Sequence, residues 1–171
     1  MIGGRMSKLF TPLRTEYISG RYRRLLEPLI YYSSRLDKLI IVPAGMITDY
    51  ESVPRIPFIH AWLADTSIIG GVLHDKLYRK GKLNKDLKLI LFFYLSKEDY
   101  KKYGTKGVVE ELSKEEADLV YKEVMEFRGN SEKKAKAKYL TVKWAGKSSY
   151  HKLDLYASYE EVIKIHGKKK R

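Results

Sequence analysis

Leu39-Ile40-Ile41-Val42-Pro43-Ala44-Gly45-Met46-Ile47-Thr48-Asp49-Tyr50-Glu51-Ser52-Val53-Pro54 is where the chain changes from strand-like to helix-like sequence. Leu39 to Val42 is a short β-branched run that favours a strand. Pro43 fits only a strand end or edge, Gly45 admits an unusual backbone angle, and Pro54 with Pro57 stops regular structure on the far side. Asp49 and Ser52 therefore ride a constrained loop, where short polar side chains commonly bond their own backbone. Upstream, Arg21 to Ser33 mixes Tyr, Leu and Ile with charges, and Arg35-Leu36-Asp37-Lys38 offers a turn, so a β-hairpin leads into the loop.

Downstream, the period becomes helical. From Phe58 to Arg79, Ile59, Trp62, Leu63, Ile68, Ile69, Val72, Leu73 and Leu77 form a broad apolar stripe. His74 and Tyr78 share a face of that helix, while Asp75 is turned about 100° away, towards Gly71 and Arg79. In Lys80 to Leu112, Leu87 to Leu95 suits either a buried strand or a short core helix, and Ser96-Lys97-Glu98-Asp99 reads as a helix start. Ser113-Lys114-Glu115-Glu116 opens a better helix that runs to about Phe127 and stops at Gly129-Asn130. Asp118 lies in its early turns beside the apolar face of Ala117, Val120, Tyr121, Val124 and Met125, either flanking the core or pointing to water. Ser131 to Trp144 reads as a further Lys-rich helix, and Tyr150 to Tyr156 as a candidate strand.

Strands and helices segregate along the chain, which predicts an α+β fold: an N-terminal antiparallel hairpin or small sheet packed on about three helices, with a C-terminal strand. Residues 1–160 are expected to form one domain with an insertion at 80–112, and residues 161–171 a basic C-terminal tail.

Composition narrows the class. With 171 residues, 44 % hydrophobic and 12 % aromatic, the chain has enough apolar surface for one core. No segment approaches the roughly 20 apolar residues of a bilayer span, and Met1-Ile2-Gly3-Gly4-Arg5 lacks a secretory apolar stretch, so no membrane span and no Sec export are expected. With no Cys, there is no disulfide framework or thiolate nucleophile, and any metal must be held by oxygen and imidazole. The net charge is +13, and residues 131–171 hold 12 Lys plus Arg against 4 Asp plus Glu. Lys168-Lys169-Lys170-Arg171 reads as a solvated terminal run, with contact to DNA or an acidic partner as the alternative. No zinc finger, aromatic RNA-binding signature or helix-turn-helix accompanies it, so sequence-specific recognition is not expected.

The loop and the helix place a carboxylate, a hydroxyl, an imidazole and a second carboxylate beside apolar sequence. Polar groups in such surroundings find partners or titrate to the neutral form, so a hydrogen-bonded centre or a bound ion is expected.

Taken in order, the hairpin, Val42-Pro43-Ala44-Gly45, Thr48-Asp49 with Ser52-Val53-Pro54, His74-Asp75-x-x-Tyr78, Glu116-Ala117-Asp118, and Val142-Lys143-Trp144-Ala145-Gly146 with Tyr150 resemble a phage and prophage family, domain of unknown function 1353. The resemblance covers about Leu25 to Tyr150. It departs at Met46, where the family usually has an aromatic residue, and at Lys80 to Leu112, which is longer than the usual link. The resemblance implies a virion or tail-associated protein made in the host cytoplasm, with other phage structural proteins as partners. It also implies one polar centre built from Asp49, Ser52, His74, Asp75, Tyr78 and Asp118.

Two chemistries fit that set. The residues can satisfy one another and fix the loop against the helices, with assembly contacts made by the insertion and the basic tail. Alternatively, Asp49 and Asp75 hold a divalent cation such as calcium while His74 activates water, giving metal-assisted hydrolysis of an ester or amide. The His74-Asp75-x-x-Tyr78 spacing is similar to the catalytic helix of secreted phospholipases A2. That likeness implies His74 as base, Asp75 as calcium ligand and Asp118 as support; it is local, because their glycine-rich calcium loop and disulfides are absent. A third expectation, a DNA-contacting packaging or ejection factor, follows from charge alone.

Overall fold

The computed structural model describes residues 6–50, 68–83, 86–145 and 150–167. Among the described residues, six strands come first: β1 (Lys8–Leu9), β2 (Thr15–Ser19), β3 (Tyr22–Leu25), β4 (Leu29–Ser33), β5 (Lys38–Val42) and β6 (Ile47–Thr48). Among the described residues, six α-helices follow: α1 (Ile68–Leu77), α2 (Leu87–Tyr94), α3 (Lys97–Tyr103), α4 (Lys114–Phe127), α5 (Glu132–Ala145) and α6 (Tyr159–Gly167). The class is α+β, with two three-stranded antiparallel sheets ordered β1-β4-β5 and β2-β3-β6. Pro28 divides the expected Arg21–Ser33 strand between the two sheets.

The β4–β5 hairpin is the centre of the molecule. It pairs Leu29 with Val42 through to Ser33 with Lys38, and Asp37, at φ 51, supplies the left-handed residue of its turn. Alternate residues point to opposite faces of a sheet, and here both faces are apolar. Leu29, Tyr31, Ile40 and Val42 pack with Val72, Leu73 and Leu77 of α1 and Ala117, Val120 and Val124 of α4. Ile30, Tyr32, Leu39 and Ile41 pack with Ile90, Leu91 and Leu95 of the α2 region and Tyr103 of α3. The segment 80–112 is therefore a structural layer, covering the second face of the hairpin.

This resolves the ambiguous Leu87–Leu95 stretch as a helix, started by Asp86, whose side chain accepts from the backbone of Lys88 and Leu89. The expected stripe on α1 holds at Val72, Leu73 and Leu77, but Ile68 is exposed; Ile59, Trp62 and Leu63 lie outside the described residues. The C-terminal strand is a correction. Tyr150 to Tyr156 forms turns carrying one isolated parallel bridge, Lys80 to Asp154. Lys80 donates to Leu153 O at 3.1 Å and accepts from Leu155 N at 2.8 Å, but Gly81, at φ 104, turns the chain away before a ladder can grow. The expected boundary at residue 160 falls inside a helix. Helix α6 crosses it, with Val162 fully buried against Ile47, Leu153 and Ala157, and residues 168–171 lie outside the described residues.

Candidate functional site

Helix α1 ends in three consecutive polar residues, His74, Asp75 and Lys76. At about 100° per residue, neighbours on a helix point in different directions. Each of these three meets a different part of the fold.

His74 faces α4. The first turn of α4 is fixed by a capping box: Ser113 Oγ accepts from Glu116 N, and the Glu116 carboxylate accepts from Ser113 N at 3.1 Å. One turn later, Asp118 is fully buried and gathers three donors. His74 Nε2 lies 3.0 Å from Oδ1, Tyr78 OH donates to the same oxygen at 2.5 Å, and Lys114 Nζ donates to Oδ2 at 2.6 Å. Burial pushes the Asp118 carboxyl up, but hydrogen bonds from His74, Lys114 and Tyr78 outweigh it and hold the group below the usual carboxylate range. An ionised carboxylate only accepts, so His74 Nε2 carries the proton in this pair. Burial, and then the bond to Asp118, push the Tyr78 phenol well above its ordinary value. The His74 ring packs 3.9 Å from that of Tyr78 and 5.0 Å from that of Tyr121.

Asp75 faces the loop after β6. Gly71 makes that approach close, because a Cβ there would collide with the Tyr50 carbonyl oxygen. Tyr50 itself sits at φ 62, and its N–H donates to Thr48 Oγ1 at 3.1 Å. Thr48 Oγ1 donates in turn to Asp75 Oδ2 at 2.5 Å. Next to it, Asp49 Oδ2 is 3.1 Å from His166 Nδ1 of α6 and 3.5 Å from an Arg21 nitrogen. Burial, and then repulsion from Asp49, push the Asp75 carboxyl up to about 6, against the opposing pull of Arg79, the Thr48 hydroxyl and His166. Arg79 is buried, and it donates from Nη2 to Ile47 O. Burial lowers the Arg79 pKa, while Asp75, Asp49 and Asp154 raise it. Among the described residues its Nη1 has no hydrogen-bond partner.

Lys76 points in a third direction. Its Nζ is buried and donates to Val109 O at 2.8 Å and Glu110 O at 3.1 Å, and burial pushes it down to about 8.

The sequence candidates thus divide between two adjoining centres. His74, Tyr78 and Asp118 form one, and Asp49 and Asp75 belong to the other. Tyr121 lies between them: its ring neighbours His74, and after burial the Asp75 charge is what raises its phenol. Ser52, and the basic run Lys168, Lys169, Lys170 and Arg171, lie outside the described residues. Among the described residues, no group of three or more His, Asp or Glu is placed to hold a metal ion.

Sequence reasoning did not single out Thr48, Lys114, Arg79, Lys76, Arg21 or His166 as site residues. Lys114 to Asp118 and Asp75 to Arg79 are both i,i+4 pairs of opposite charge, a signal present in the sequence. Arg21 and His166 carry no such signal, because tertiary packing alone brings them to Asp49.

No curated protein and no solved structure shows significant similarity to this chain. A family model described as protein of unknown function (DUF1353) matches residues 23–142, from β3 to the last turn of α5, and so spans both centres except Arg21 and His166. The chain belongs to that family.

Proposed function

We propose that this chain is a phage-encoded virion or tail-associated structural and assembly protein, in which the His74–Asp118 centre fixes the fold and turns over no substrate. One observation carries the reading: Asp118 takes donors on both oxygens, and its partners His74 and Tyr78 are themselves buried. Such a carboxylate has its acceptor capacity committed to α1 and to its own helix. A staple of this kind unites the helix that carries the loop contacts with the helix that covers the central hairpin. The phage association rests on the family likeness, whose members are associated with structural and lysis modules.

A second reading, metal-assisted hydrolysis, is favoured by a different observation. A His held by a buried carboxylate, with an acidic neighbour of raised pKa one residue later, is an arrangement that general-base chemistry uses. Its base would be His74, its support Asp118, and its cation ligands Asp75 and Asp49.

His74→Ala separates the two. The staple reading expects no turnover of ester or amide reporters by the wild type, with or without calcium. It expects the variant to unfold at about 2–4 kcal/mol lower stability and to be incorporated poorly into particles. Turnover by the wild type that vanishes in a variant of unchanged melting temperature would overturn it in favour of the hydrolase.

A further inference from the structure

Helix α2 is amphipathic in an unusual direction. Ile90 and Leu91 seat it on the central hairpin, yet on its other side Leu89, Phe92 and Phe93 stand at positions i, i+3 and i+4, and the two phenylalanines are each 72 % exposed. Their rings meet edge to face, with centroids 6.0 Å apart. An exposed Leu-Phe-Phe face is costly in water and marks a contact surface. The helix is only eight residues long, and among the described residues no helix is long and apolar enough to cross a membrane, so a contact lying in the plane of a surface is the geometry that remains for a lipid partner.

Charge identifies the occupant. Lys88 on α2 and Lys97, Lys101 and Lys102 on α3 are all exposed, and no ion pair is formed by any of them among the described residues. Of the nearby acids, Asp86 is engaged in capping α2 and Asp99 is paired with Lys8 at 2.6 Å, leaving Glu98. A second copy would bring the same lysines and another +13 chain to the face, which like-charge repulsion opposes. An anionic surface complements both the lysines and the overall charge, while the phenylalanines suit the boundary between headgroups and acyl chains.

We propose that the exposed face of α2, Leu89, Phe92 and Phe93 with Lys88, docks this protein on an anionic lipid surface, to which Lys97, Lys101 and Lys102 of the following helix α3 add charge. The face is separate from both polar centres, so the proposal stands whichever reading of those centres holds.

Flotation of the full chain with vesicles of 30 % phosphatidylglycerol in phosphatidylcholine, against pure phosphatidylcholine, tests it. The wild type should float with the anionic vesicles, and raising salt should weaken the binding. Phe92→Ser/Phe93→Ser should bind at least about ten-fold more weakly at unchanged melting temperature, since insertable apolar area is lost from an exposed position. Lys97→Gln/Lys101→Gln should weaken binding to anionic vesicles by a smaller factor. Absence of binding by the wild type would overturn the proposal. So would equal binding by the Phe double variant, which would assign the attraction to charge elsewhere on the chain. A wild-type dimer that the same substitutions convert to monomer would show that a second copy covers the face.

Discussion

The two centres carried by α1 differ in how acids and donors are matched. At Asp118, one buried carboxylate receives an imidazole, a phenol and an ammonium, and its pKa is held down. At the β6 loop, two carboxylates stand together, and Asp75 is pushed up to about 6 although Thr48, Arg79 and His166 oppose the shift. Burial acts in the same direction on both acids. What separates them is the number of direct donors per carboxylate and the presence of a like-charged neighbour. Helix α1 thereby joins an acid of α4 that is locked in the ionised form to an acid of its own that is poised to take up a proton.

The largest test of this contrast is Asp118→Ala. Removing the shared acceptor strands His74, Tyr78 and the Lys114 ammonium in a buried site, and should cost about 3–5 kcal/mol in denaturant unfolding. A loss below about 1 kcal/mol would mean that the donors find substitutes and that the centre holds little together. Gly71→Ala comes next. Its methyl group must displace the Tyr50 backbone, so the loop carrying Thr48 and Asp49 would be levered off α1 at a cost of about 1–3 kcal/mol. That variant should disturb the Asp75 centre and spare the Asp118 hydrogen bonds, which the NMR shifts of the His74 ring would report.

The smallest effect, and the sharpest, is in pH dependence. Asp75 has a folded pKa of about 6 against an ordinary value of 3.8, so the fold favours its protonated form. The stability linked to it is complete below about pH 3.8 and is lost as pH rises through about 6. Asp118 runs the other way: its contribution is present above the ordinary carboxylate value and disappears as pH falls through its depressed folded value. Asp75→Asn should therefore gain about 1–2 kcal/mol relative to wild type between pH 5 and pH 7.5, read as a difference of two melting curves. Parallel pH profiles for the two proteins would remove the distinction between the centres.

Local rules carried much of the fold. The capping box at Ser113, the turn before Lys38 and the strand preference of Leu39–Val42 all act within a few residues, and each was legible. The placement of Asp118 was not, because a polar residue beside an apolar face suits either water or the core. Only the partners brought by α1 decide between them. The Leu87–Leu95 stretch stayed open between strand and helix for a related reason: its composition is apolar throughout, but just one side meets the sheet, and Leu89, Phe92 and Phe93 are exposed. Lys76 shows a third kind of gap. A lysine is ordinarily solvated, and nothing near it in the sequence announces the carbonyls of Val109 and Glu110, more than thirty residues away, that receive its Nζ.

The contact between His166 and Asp49 spans most of the chain, and it sets an order of events during synthesis. Strands β3 to β6 emerge from the ribosome long before α6, so the acidic loop can already be facing its helix while the imidazole that lies against Asp49 is still untranslated or in the exit tunnel. The contact is completed only when α6 arrives. A nascent chain stalled before residue 166 would lack the pull of His166 that opposes the raised Asp75 pKa, and so would carry a more proton-hungry version of this centre.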